Sequence, residues 1–447
     1  MAHWKELVRE KRRQQAESIP TDWRLPSIPN DFTNSCDVIE SCGILSNEEK
    51  EITNTTDVRK LLVLLASGNL SSVQVTTAFS KRAAIAHQLI NCCTEMFFDT
   101  ALVRARELDE YLATTGKVVG PLHGLPVSIK DGFEVEGYDT TVAYIVPPVA
   151  GPITADLHNV EYYMESAISS RPWEADPKAL PIPWRRDLAQ VPVRPLKVAF
   201  IFDDGVVKPQ PPITRALRET AEKFRKAGHE VIEWDTSLHD EGINLWLKAV
   251  MADGGEDCRK MCELVDEPLI PGMLVGTDKD RLSISQRQEL EKQKLIYRES
   301  YLAQWRKTDI DALIMPVMAW VNFKPRTWVE SKQLLGYSAI WNLLDYTALT
   351  VPVTNVHPVI DAPDEEWLGR QPRNESDAFN QMQCEFLSYL DFSLRRGVRC
   401  RNGLLTSNAK IDDVNLVKGM PVSVQVVTGR FGEEKAVSIA KVMAEFE

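Results

Sequence analysis

A lysine at the end of a short apolar run carries the most distinctive chemistry in this chain. The segment Gly120-Pro121-Leu122-His123-Gly124-Leu125-Pro126-Val127-Ser128-Ile129-Lys130-Asp131 predicts a turn and then a short buried strand, Val127 to Ile129, with Lys130 at its end. An ammonium there is close to desolvated. Burial lowers a lysine pKa, and the neutral amine can take a proton from a serine hydroxyl. The plainer alternative is a side chain that snorkels from the strand end or pairs with Asp131. His123 sits in a Pro/Gly turn, and no G-x-S-x-G elbow supplies it with a serine, so it reads as a packed or hydrogen-bonded turn histidine. Cys258 and Cys262 are four apart, which puts two thiols on one helix face. Without a nearby histidine or second cysteine pair they do not make a zinc set. Cys92 and Cys93 would serve a thiol hydrolase, but no histidine pairing is evident for them. Asp203-Asp204-Gly205 follows a strand and reads as its turn, because no phosphate-binding loop precedes it.

The elements that would position these residues alternate between helix and strand. Residues 1–50 are polar and punctuated by Pro20, Pro26 and Pro29, which predicts an N-terminal arm with a short first helix. Val58 to Leu65 is an apolar helical run that Gly68 closes. Ser71 and Gln74 form a capping-box pattern for a helix reaching about Leu89, and Asp99 is placed to cap a third helix that Gly116 ends. Pro172 to Pro195 reads as a linker. Leu196 to Phe202, Thr214 to Ala227 and Glu230 to Trp234 predict a β-α-β unit and hence a parallel strand pair. A long helix, about Ser285 to Lys307, and strands at Ala312–Pro316, Leu349–Val353 and Pro421–Val427 complete an α/β pattern.

Composition narrows the function classes. Of 447 residues, 44% are hydrophobic and 26% charged, the balance of a soluble globular protein. A net charge of −12 disfavours nucleic acid and anionic membranes as partners. The longest apolar run, Leu61 to Ala66, is far too short for a membrane span. The charged start lacks a secretory h-region, so the eight scattered cysteines are expected as reduced thiols in a cytoplasmic protein.

The Gly120–Asp131 segment resembles the opening of the amidase-signature core, a Pro-x-x-Gly-[Ile/Leu]-Pro-x-x-x-Lys-Asp pattern matched at Pro121, Gly124, Pro126, Lys130 and Asp131. Gly151-Pro152-Ile153-Thr154 resembles the turn that follows the signature. Asn342 to Pro352 resembles a late element of the family, with Thr347 where the family has its first proline. Gly419 to Val427 resembles its closing strand. The resemblance runs in order along nearly the whole chain and is closest to fungal acetamidases. It implies an α/β fold with a mixed β-sheet core covered by helices on both faces, and one amidase-like domain over 51–447. It also implies hydrolysis of a small carboxamide to acid and ammonia by a Ser-Ser-Lys triad, with Lys130 as the catalytic lysine. No cofactor and no metal is implied. The partner is a small-molecule amide, and a homo-oligomer is compatible with the sequence. Tyr346 and Thr347 could line a pocket.

Two departures bear on activity. In the family, a Gly/Ser-rich stretch of several dozen residues carries both serines and the oxyanion loop. Here Tyr138–Ile145 runs directly into Val146-Pro147-Pro148, an apparent deletion at 145/146, and Lys130 to Val160 holds no serine, only Thr140, Thr141 and Thr154 as hydroxyls of that kind. About 384–415 is an insertion of atypical texture, basic around Arg395, Arg396, Arg399 and Arg401. An omitted exon and retained non-coding sequence would produce this pair of departures. The expected fold is therefore incomplete at its centre. The alternative to an active amidase is an inactive pseudo-amidase or mis-spliced product, with a binding role or none.

Overall fold

Apolar residues build a sheet whose central strands are buried on both faces. The strands are β1 (Lys197–Phe200), β2 (Glu230–Glu233), β3 (Ala312–Pro316), β4 (Thr347–Asn355) and β5 (Pro421–Thr428), in the order β2-β1-β3-β5-β4. β1 pairs parallel with β2 and β3, and β5 pairs antiparallel with β3 and β4. The sheet is mixed, and the expected β-α-β unit is present around the helix Pro211–Lys226, with Pro211 and Pro212 where a helix start tolerates a missing N–H. The computed structural model describes residues 3–29, 32, 34–133, 135–138, 151–270, 274–322, 336–382 and 417–446. The proposed junction at 145/146, Thr140, Thr141 and the atypical 384–415 segment lie outside the described residues.

The chain divides into two compact units, Met1–Trp184 with Cys258–Pro268, and Arg185–Asp257 with Leu269–Glu447. The division at 184/185 falls in the proline-rich stretch read as a linker, which also holds one 3-10 turn, Pro172–Glu174.

In the second unit, period-two alternation sends strand residues to opposite faces. Val198, Phe200, Ala312, Ile314, Val424 and Val426 pack with the helix Pro211–Lys226 and with the helix Glu433–Ala444. Ala199, Leu313, Met315 and Val427 face the other way, toward His239–Val250, Ile284–Thr308 and Gly336–Leu344. Helices therefore cover both faces, as expected. Ile284–Thr308 starts from a capping box, Ser283 with Gln286.

The first unit is helical among its described residues. It contains His3–Ser18, Ser35–Ser41, Asn47–Asn54, Val58–Ala66, Ser72–Ile90, Phe98–Thr115 and Leu157–Ser169. The predicted Ser71/Gln74 capping box opens Ser72–Ile90. Phe98–Thr115 begins two residues earlier than predicted, with Phe97 as its cap. Asp99 lies in the first turn instead, where a carboxylate favours the helix dipole.

Candidate active site

The signature segment is anchored at one end and open at the other. Leu122 and Leu125 pack on Ile52, Leu61, Leu62, Leu65, Val75 and Ala78. Tyr162 Oη donates to the Pro121 carbonyl at 3.1 Å. Gly124 has φ +76 and lies so close to Ser72 and Leu65 that it has no room for a side chain. Beside it, Asp109 accepts from Ser72 N at 2.6 Å and Val73 N at 3.1 Å, satisfying free donors at a helix start. His123 is buried, its Nδ1 accepting from Val119 N at 3.3 Å, and burial pushes its imidazole pKa down. It is the packed turn histidine expected.

Beyond Pro126 the chain enters solvent. The buried strand predicted at Val127–Ile129 is absent: these residues have no regular structure, and Val127 and Ile129 are 59% and 54% exposed. The reason is physical. A strand needs a partner for its backbone groups, and every strand described lies in the second unit. Lys130 is exposed, its carbonyl closing a turn with Phe133 N at 3.1 Å. Its Nζ has no hydrogen bond or ion pair among the described residues. The burial that the sequence leads one to expect for it is missing. Ile153, in the Gly151–Thr154 turn, is fully exposed. Thr154 Oγ1 donates to the Asp156 carbonyl at 2.6 Å and caps the turn before Leu157–Ser169.

The remaining candidates have structural surroundings. Tyr346, of the second unit, is half-buried among aromatic rings. Its ring packs edge-on against Trp305 at 5.4 Å and Tyr301 at 6.0 Å, and burial pushes its phenol up to about 12. Thr347 Oγ1 accepts from Gly432 N at 3.2 Å. Asp203 and Asp204 form the expected turn, accepting from the amides of Gly205, Val206 and Val207. Around them is a charged network that sequence reading missed. Arg373 grips Asp203 through two bonds of 2.6 Å, and Arg370 holds the buried Asp377 at 2.5 and 3.0 Å. Its only signal is Arg370, Arg373, Asn374 and Asp377 at three- and four-residue spacing. Among the described residues, no group of three potential metal ligands is found. No helix is long and apolar enough to cross a membrane among those residues.

A family model described as Amidase matches residues 74–148 and 145–437. The chain belongs to the amidase family. The two matched pieces meet at 145–148, beside Lys130's segment. Among relatives, the acetamidase of Aspergillus oryzae is 27% identical, over 98% of this chain and 98% of its own length. The acetamidase of Emericella nidulans is 28% identical, over 98% and 97%. Each alignment spans 571 positions, 124 more than this chain has residues, so at least that many positions face a gap here. Among solved structures, a fatty acid amide hydrolase superposes with a TM-score of 0.77 at 21% identity, covering 98% of this chain and 94% of its own. The amidase fold is thus shared over almost the whole chain, and family and fold are those of amide hydrolases.

Proposed function

We propose that this chain descends from a cytoplasmic hydrolase of small aliphatic or aromatic carboxamides and, as it stands, does not turn amides over. The observation that carries the reading is the break at 145–148, with at least 124 positions of both acetamidases unmatched. In the parent reaction a serine attacks the amide carbon, ammonia leaves with a proton, and water frees the acid from the acyl-enzyme. Lys130 supplies the base, through a bridging serine, and backbone amides hold the oxyanion. Of these parts this chain keeps Lys130. Serines and oxyanion donors act as a unit, so their joint loss leaves almost nothing of the rate. The exposure of Lys130, Val127 and Ile129 agrees with this, since a working catalytic lysine would be desolvated. No metal or cofactor enters the reading.

A fluorophosphonate probe tests it, with circular dichroism to show that the protein is folded and an active amidase as positive control. No labelled serine is expected. Labelling at one serine, abolished by replacing it with alanine, would overturn the reading.

A further inference from the structure

The adjacent thiols Cys92 and Cys93 are held ready for a bridging ligand. Ser72–Ile90 ends at Asn91, which takes a left-handed conformation (φ 51) and donates its N–H to the His87 carbonyl at 2.8 Å. Cys93 N donates to His87 Nδ1 at 3.3 Å. Gln15 Nε2 donates to the Thr94 carbonyl at 2.8 Å and to the Cys93 carbonyl at 3.5 Å. The backbone is thus pinned on both sides of the pair. Cys92 is exposed, Cys93 is half-buried against Ile19, Trp23, Ala84 and Met96, and the two sulfurs are 3.9 Å apart.

Three chemistries compete for such a pair. A disulfide needs sulfurs about 2.05 Å apart and usually Cα atoms about 4.4–6.8 Å apart. Consecutive Cα atoms are only about 3.8 Å apart, so closure would twist a peptide whose N–H is held by His87. Zinc wants four ligands, and no group of three candidates exists among the described residues. A soft centre that brings its own third substituent needs only two sulfurs and leaves them apart. We propose that Cys92 and Cys93 form a dithiol site for monosubstituted trivalent arsenicals. The reaction balances without an oxidant. Two S–H bonds and the arsenic–oxygen bonds break, two As–S bonds form, the oxygen leaves as water with both thiol protons, and arsenic stays trivalent. Pinning the pair beforehand cuts the ordering cost of binding. The site is independent of the amidase reading.

The test uses the full chain and phenylarsine oxide, followed by intact mass and peptide mapping. Trypsin cuts after Arg82 and Arg104, and the Ala83–Arg104 peptide carries these two cysteines alone. One adduct on that peptide is expected, reversed by 2,3-dimercaptopropanol and resistant to excess 2-mercaptoethanol. Cys92→Ser, at an exposed position, should weaken binding about a hundredfold, the low end of what joining two ligands gains. Cys36→Ser should leave binding unchanged. No adduct on the folded wild type, an adduct on another peptide alone, or unchanged binding in Cys92→Ser would overturn the site.

Discussion

At Gly124 two demands meet. Its φ of +76 suits glycine, and a Cβ there would lie 2.5 Å from Ser72 Oγ and 2.9 Å from Leu65 Cδ2. Gly124→Ala should therefore cost about 2 kcal/mol, from strain and overpacking together, and lower the thermal midpoint of the first unit. In the second unit, Asp377 is fully buried and accepts from Arg370, Arg373 N and Lys208 N. Asp377→Asn leaves Arg370 without its counter-charge and should cost about 3 kcal/mol in urea unfolding. Two further groups set the acid response. Desolvation pushes the His239 imidazole down to about 4, while its Nε2 lies 3.1 Å from Tyr301 Oη. The unfolded chain takes up that proton first, so stability is full above about pH 6.5 and falls as pH drops toward 4. Burial pushes the Asp311 carboxyl up, but Arg194, the Lys197 amide and Lys435 outweigh it and hold it at about 2. Its contribution is present above about pH 4 and is lost toward 2. Urea midpoints measured against pH should show both windows. His239→Gln should flatten the first and Asp311→Asn the second.

At the scale of elements, what local chemistry dictates was legible. The Ser71/Gln74 capping box, the Gly116 stop and the parallel β1–β2 pair are specified by residues close in sequence, and each is found where expected within a few residues. Val127–Ile129 was misread because an apolar run promises burial but does not say what will bury it. Here no strand partner is described in its unit, and the side chains stand in water. The Arg370–Asp377 network was illegible for a related reason: its target, Asp203, lies 170 residues away from Arg373. The exposed run has a consequence. Val127 and Ile129 are exposed apolar side chains of one short run, and such exposure favours self-association. Val127→Ser with Ile129→Ser should leave the thermal midpoint within about 0.5 kcal/mol equivalents and lower the apparent mass in light scattering. An unchanged mass would show that this surface does not drive association.

At the scale of the whole molecule, family membership and fold are separate matters from the proposed loss of activity. The α/β architecture, its mixed sheet and its two helical covers match a fatty acid amide hydrolase over nearly the full chain. The chemistry resides in a site grafted on that fold, and the family match falls into two pieces that meet at 145–148, after Lys130. The family was legible in motifs spread along the chain, and the lack of serines between Lys130 and Val160 is what motivates the proposal of inactivity. The most direct measurement is ammonia release from a panel of small amides by the purified, folded chain and by Lys130→Ala. The account predicts no release above the blank from either. Release by the wild type that disappears in Lys130→Ala would contradict it, and would mean that the chain assembles a working site around this lysine.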